Sequence, residues 1–141
     1  GGLDVVGNKE RIYRACQTLG EKGIEVSLFI DPDELQIEAS KECGAAAIEL
    51  HTGSYAEPES LAKQAEELGI IRSSVAAGKQ LGLVVNAGHG LNYQNTHEIA
   101  AIAGMNELNI GHSIIARALF VGIKEAVREM KVIIDSSSPR V

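Results

Sequence analysis

Glu49 is a carboxylate set inside an apolar run, between Ile48 and Leu50. If this run forms a central strand, the carboxylate must be paired, hydrogen-bonded or protonated, because burying a lone charge is costly. Such carboxylates cluster at functional sites, so Glu49 is a candidate catalytic residue. The alternative is a buried ion pair with a purely structural role.

A second candidate is the sequence Gly88-His89-Gly90, which follows the apolar run 83–86 closely. Histidine gives and takes protons near neutral pH. Flanking glycines allow a sharp turn and a close approach of the backbone to a ligand. We therefore predict that His89 is catalytic or contacts a ligand; an ordinary loop histidine is the alternative.

The third candidate, Gly111-His112-Ser113, stands between the last apolar run, 107–110, and a long helix-period segment. The free N–H groups and the positive dipole end of a helix N-terminus favour an anion. We predict a phosphate site at Gly111 and His112. Simple helix capping by Ser113 is the alternative.

Two further histidines are less informative. His51 opens a polar segment, 51–55, that should face the same rim as the other candidates, either as a wall of the pocket or as a mobile loop. His97 lies in a short polar helix and is predicted to be solvated.

The sequence has no cluster of cysteine, histidine and carboxylate residues with the spacing of a metal site, so we predict no metal ion.

These residues depend on four apolar runs for their position, residues 24–30, 46–50, 83–86 and 107–110. The runs alternate with helix-period segments, which predicts a parallel α/β sheet. We expect Asp31 to cap the second helix, the third to cover residues 59–80 with weak points at Gly69 and Gly78, a short helix near 95–102, and the last to cover 113–134. The residues predicted to face the core are Ile12, Cys16, Leu19, Leu35, Ala39, Cys43, Leu61, Ala65, Leu68, Val75, Ile115, Leu119, Val127 and Met130.

Strand side chains alternate between two faces, and here one face is apolar and the other largely polar. The second set contains Ser27, Phe29, Glu49, His51, Asn86, Glu107 and Asn109. In a barrel this set would point inward, and active sites of barrels lie at the carboxyl ends of the strands. Four βα units are half of a (β/α)8 barrel, but an open flavodoxin-like sheet fits the pattern equally well.

Composition sets broader limits. The 141 residues are 45% hydrophobic and carry a net charge of −6, which suits one folded domain and disfavours a nucleic-acid or anionic-membrane surface. No apolar run reaches the roughly 20 residues of a membrane helix, and we expect a cytoplasmic protein. Cys16 and Cys43 are predicted to be reduced core thiols. We expect a domain over 1–135 and a flexible tail over 136–141.

Four stretches together resemble the pyridoxine 5'-phosphate synthase family: GIEVSLFIDPD, AIELHTGSYAE, GLVVNAGHGLNYQN and ELNIGHSIIARALFVG. The resemblance runs over essentially the whole chain. It implies the C-terminal half of a TIM barrel, with the four runs as strands five to eight. The opening GGLDVVG resembles the family's loop after strand four, so we expect a partial chain whose first half of the barrel is absent.

The resemblance also implies a reaction. The family condenses 1-deoxy-D-xylulose 5-phosphate with 3-amino-2-oxopropyl phosphate to give pyridoxine 5'-phosphate, phosphate and water. His89 would be the general acid, Glu49 would stabilise the transition state, and Gly90, Gly111 and His112 would hold the amino-ketone phosphate. No cofactor is implied, and a homo-octamer is expected for the full-length protein.

The family's other catalytic bases lie on the first four strands, so the chain by itself is expected to be inactive. Two other interpretations stay open at this point. One is a phosphate-binding half-barrel module without catalysis, and the other is a different phospho-sugar TIM-barrel enzyme.

Overall fold

The computed structural model describes residues 1–137 and contains one parallel sheet of four strands in that part of the chain. The strands are β1 (Ser27–Ile30), β2 (Ala47–His51), β3 (Val84–Gly88) and β4 (Leu108–Asn109). Each strand pairs with the next one along the chain, so the spatial order is β1-β2-β3-β4. The predicted alternation of strands and helices is confirmed, although β1 begins later than the apolar run at 24–30.

Helices separate the strands. They are α1 (Lys9–Gly20), α2 (Glu34–Glu42), α3 (Gly53–Ala56), α4 (Leu61–Gln80), α5 (Thr96–Ala100), α6 (His112–Val121) and α7 (Ile123–Ser137). Within residues 1–137, no helix is both long and apolar enough to cross a membrane.

The sequential strand order distinguishes the two architectures that the sequence left open. In a flavodoxin-like sheet the order in which successive strands are added reverses once, so helices cover both faces of the sheet. Here each connection leads to the next strand on the same side of the sheet. Because such connections are right-handed, the connecting helices lie on one face. The other face stays open. This four-stranded parallel α/β sheet is consistent with half of a barrel.

The register of the strands sorts their side chains between the two faces as the alternation predicted. Leu28, Ile48 and Val85 lie side by side across β1, β2 and β3 and are buried under the helices. Phe29, Glu49 and Asn86 form the neighbouring row. Because side chains alternate along a strand, this row belongs to the open face.

Under the helices lies a continuous apolar core. Its fully buried members include Ile30, Ile48, Leu50, Val75 and Val85. Both cysteines belong to this core as free thiols, as predicted, and burial raises the pKa of Cys16 and of Cys43.

Helix α4 runs unbroken through both Gly69 and Gly78, which the sequence had marked as weak points. Gly78 is the place where this helix comes closest to the sheet. A Cβ there would lie 2.7 Å from Val85 Cγ2 and 3.2 Å from Ile48 Cδ1. Nothing lies within 4 Å of a Cβ built on Gly69. The cost of a helical glycine at position 78 is therefore offset by close packing.

Two predicted helix boundaries were wrong. Helix α2 is capped by Asp33 rather than Asp31, since the Asp33 side chain accepts a hydrogen bond from the Gln36 N–H. The predicted last helix is two helices, because Gly122 interrupts it at φ 81° and ψ 153°. Ser136 and Ser137, which the sequence assigned to the tail, lie in the last turn of α7, and residues 138–141 lie outside the described part of the chain.

Several residues predicted to face the core are exposed instead. Periodicity identifies residues that share a helix face, but not whether another element covers that face. Helix α4 illustrates this, because its 20 residues span about 30 Å while a five-residue strand spans about 17 Å. The buried residues of this helix begin only at Ile71. The exposed residues in question are Leu19, Leu35, Leu61, Ala65, Ile115, Leu119 and Val127.

The two glycines of α4 give a matched test. Replacing Gly69 with alanine should raise the free energy of unfolding by about 0.5–1 kcal/mol, the usual gain in an exposed helix. Replacing Gly78 with alanine should lower it, because overpacking costs about 1–3 kcal/mol and exceeds that gain. Urea unfolding of both variants measures the difference. Equal stability of the two variants would contradict the close packing of α4 on the sheet.

Candidate active site

Glu49 lies in the middle of β2 on the open face of the sheet. Its Oε2 accepts a hydrogen bond of 2.8 Å from the Asn109 side-chain amide of β4, 60 residues further along the chain. The carboxylate is thus hydrogen-bonded rather than buried alone. Among the described residues no Lys or Arg side chain pairs with it.

Gly88 makes room for this contact. It ends β3, the strand between β2 and β4, and it pairs in register with His51 and Asn109. A Cβ on Gly88 would lie 2.4 Å from Glu49 Oε1 and 2.9 Å from the Asn109 carbonyl oxygen. Any side chain at this position would therefore displace the carboxylate of Glu49.

His89 follows Gly88 with a positive φ of 81°, the only such value for a non-glycine residue in the described chain. This backbone is uncommon for a residue with a side chain and has to be held by its surroundings. Thr52 supplies that support. Its hydroxyl lies 2.8 Å from the Gly88 carbonyl and 2.6 Å from that of His89, and its N–H donates to the Gly88 carbonyl.

The loop that continues from Gly90 is also tied down. The Asn95 side chain accepts a hydrogen bond from the Asn92 N–H and donates a longer one to the Gly90 carbonyl. The Tyr55 hydroxyl donates to the Asn95 carbonyl at 2.7 Å. Through Thr52 and Tyr55 the segment 51–55 is therefore hydrogen-bonded to the loop after β3.

His112 is the first residue of α6, and Gly111 precedes the helix. Ser113 does not cap it, because its hydroxyl donates to the Leu91 carbonyl and joins α6 to the loop after β3. Within the described chain no side chain caps this helix. Its first-turn N–H groups are therefore available to an anion.

All five residues singled out from the sequence line one cleft of about 600 Å³. The cleft has no Lys or Arg among its described lining residues, so an anion bound there would rely on backbone N–H groups and imidazoles. Nor do the described residues hold a group of three or more His, Cys, Asp or Glu side chains placed to bind a metal ion. The lining residues are Phe29, Glu49, Glu57, His89, Gly90, Leu91, Asn92, Asn109, Ile110, Gly111, His112, Ser113 and Ala116.

The sequence assigned no role to His51, Thr52 or Asn109, yet each contacts a candidate residue. The His51 ring lies 4.8 Å from the His89 ring, centroid to centroid, and its Nδ1 lies 3.2 Å from Asp31 Oδ1. His51 and Asn109 share the open face with Glu49, and that alternation was a usable signal. Thr52 carried none, because its hydrogen bonds depend on the position of the β3 loop. His97 is exposed, as predicted, and lies beside Glu98.

Comparison with known proteins identifies the family of the chain. The family model described as "Pyridoxal phosphate biosynthesis protein PdxJ" matches residues 1–136. The chain belongs to the PdxJ family. A curated relative, the pyridoxine 5'-phosphate synthase of Alcanivorax borkumensis, is 61% identical over 136 residues. These are 96% of this chain and 56% of the relative, so the chain spans little more than half of that protein.

A solved structure also shares the fold. A chain in the crystal structure of the Amycolatopsis orientalis BexX/CysO complex superposes with a TM-score of 0.55, covering 94% of this chain and 54% of that one. At 18% identity this likeness concerns the fold alone. The family description and the name of the curated relative connect the chain with vitamin B6 biosynthesis, and that relative is a synthase.

The environment of His51 leads to a pH prediction. Burial lowers its pKa from the usual 6.5, which outweighs the opposing effect of Asp31, and the nearby His89 also lowers it. The folded chain therefore takes up this proton less readily than the unfolded chain, so the stability present above about pH 6.5 is lost as the pH falls through the lowered value. The free energy of unfolding, measured with urea at pH 7.5 and 5.5, should fall less between these two pH values for His51→Gln than for the unmodified chain. An equal loss in both would exclude this contribution of His51.

Proposed function

We propose that this chain supplies barrel strands five to eight of a pyridoxine 5'-phosphate synthase. The enzyme condenses 1-deoxy-D-xylulose 5-phosphate with 3-amino-2-oxopropyl phosphate and releases phosphate and water. The observation that carries the proposal is the single cleft shared by Glu49, His89 and the N-terminus of α6. A carboxylate, an imidazole and a phosphate-binding helix end are the groups that such a condensation requires.

The phosphate of the amino-ketone would bind at the N-terminus of α6. The uncapped N–H groups after Gly111 and the positive helix dipole attract an anion, and His112 adds an imidazole donor. Gly90 reaches the same cleft from the loop after β3, and its φ of 76° suits glycine. Binding here would leave the amine and ketone of the substrate free to extend toward the sheet.

Glu49 would act on the reacting carbons. Imine formation between the amine of one substrate and the ketone of the other passes through positively charged iminium species. A fixed carboxylate lowers the energy of such charge, most effectively where water is excluded. The bond from Asn109 holds one oxygen of Glu49 in place, and Oε1 remains beside Gly88 at the strand end.

His89 would be the general acid. Loss of a hydroxyl or phosphate oxygen is easier when that oxygen is protonated as its bond to carbon breaks. The loop anchored by Thr52 presents the His89 ring at the rim of the cleft, within the same pocket as Glu49. The remaining catalytic bases would come from the first half of the barrel, so we expect this chain alone to be inactive.

The complete enzyme is proposed to be cytoplasmic and a homo-octamer, with no cofactor. A non-catalytic phosphate-binding module is the second candidate, because the helix end and the glycine loop would serve binding as well as catalysis. Family membership favours the synthase over a different phospho-sugar enzyme.

The two candidates differ in what His89 does. The test protein joins this chain to the part of the Alcanivorax borkumensis synthase that it does not match. In that protein His89→Asn should lower kcat by about 10²–10⁴-fold with KM nearly unchanged, because a proton donor acts in the transition state. The exposed His97→Asn is the matched control and should retain full turnover. A rise in KM with unchanged kcat would instead favour the module.

The phosphate assignment has its own test. Replacing His112 with alanine in the same protein removes one donor from the anion site and should raise KM for the amino-ketone phosphate by about 10-fold or more, as expected for one charge-assisted hydrogen bond. Steady-state kinetics with each substrate varied separately measures this. An unchanged KM for the amino-ketone phosphate, or a rise confined to the other substrate, would refute the assignment.

A further inference from the structure

His51 links an acidic side chain to the candidate general acid. It ends β2 on the open face, two residues after Glu49, and its side chain is only 17% exposed. Asp31, directly after β1, places Oδ1 3.2 Å from His51 Nδ1. On its other side the His51 ring meets the His89 ring, at a centroid distance of 4.8 Å and an interplanar angle of 44°. The three side chains come from the ends of three neighbouring strands.

The surroundings leave the His51 ring little freedom. The Phe29 ring meets it edge-on at 5.3 Å between centroids. A Cβ on Gly53 would lie 2.7 Å from His51 Cε1 and 2.9 Å from Nε2, so only glycine leaves space for the ring. Asp31 Oδ1 is itself held, since it accepts a hydrogen bond from the Gly2 N–H. The orientation of His51 is therefore set from several sides.

The contact with Asp31 also selects a tautomer. A carboxylate accepts hydrogen bonds, so it favours the form in which His51 Nδ1 carries the proton. Nε2 then keeps its lone pair. An imidazole held in this way can orient a second imidazole that packs against it, because its lone pair attracts an N–H of the other ring where a second N–H would repel it.

We propose that His51, oriented by Asp31, is a positioning residue for His89, holding the general acid in the orientation that the reaction needs. This inference rests on the proposed function, since it assigns His51 a role only through His89. Burial supports it independently of the contacts, because it lowers the pKa of His51 and so favours the neutral form of this imidazole. The titratable groups that face His51 are Asp31 and His89.

A double-mutant cycle in the joined protein described above tests the proposal. His51→Phe keeps a planar ring against Phe29 and His89 but removes both nitrogens, and it should lower the single-turnover rate by about 10- to 100-fold, the effect of removing the partner of a functional imidazole. Substrate KM should stay nearly constant. In the His89→Asn background the same change should have almost no further effect, because His51 acts only through His89.

A structural role predicts a different result. If His51 only packs, His51→Phe should retain the wild-type rate; if it supports the fold, the loss should be equally large with and without His89. Either outcome overturns the proposal. Asp31→Asn, at an exposed position, is the second variant should His51→Phe not fold, and it should also lose rate only when His89 is present. A normal rate for His89→Asn would instead refute the proposed function itself.

Discussion

The contact between Glu49 and Asn109 is the constraint on which the rest of the site depends. The two residues lie on strands that are not neighbours, roughly 9–10 Å apart at the usual strand spacing. Their side chains can meet only because Gly88, on the strand between them, has no side chain. The same glycine ends β3 and leads into His89. One residue therefore provides the space for the carboxylate and the start of the loop that carries the imidazole.

The parallel, sequential sheet then brings the other groups to the same edge. Each strand delivers its carboxyl end to one rim, so residues that follow β1, β2, β3 and β4 become neighbours there. Asp31, Thr52, His89 and His112 all reach the rim in this way, one from the end of each strand. Hydrogen bonds from Thr52 and Asn95 restrain the β3 loop at the cost of one unfavourable backbone conformation at His89. Such restraint preorganises a site, since little ordering is left for substrate binding.

The helix-covered face and the open face of the sheet differ in the side chains they carry and in how far these are buried. On the covered face apolar side chains supply the stability of the chain, and Gly78 allows α4 to pack directly on Val85 and Ile48. On the open face Phe29, Glu49 and His51 are each only partly covered. In α6 the apolar side chains of Leu119 and Phe120 are more than 80% exposed, so the described chain leaves apolar as well as polar surface uncovered.

The sequence by itself determined the alternation of strands and helices, the division of strand residues between two faces, and five of the residues that line the cleft. These follow from local rules, since alternation and helical periodicity act over a few residues and the carboxyl ends of parallel strands share one rim. Only the tertiary structure decided the sequential strand order, the exposure of Ile115 and Leu119, and the partners of the candidate residues. Asn109 meets Glu49 across 60 positions, and Asp31 meets His51 across 20. No local pattern encodes such pairs, because they depend on how strands, loops and helices come together in space.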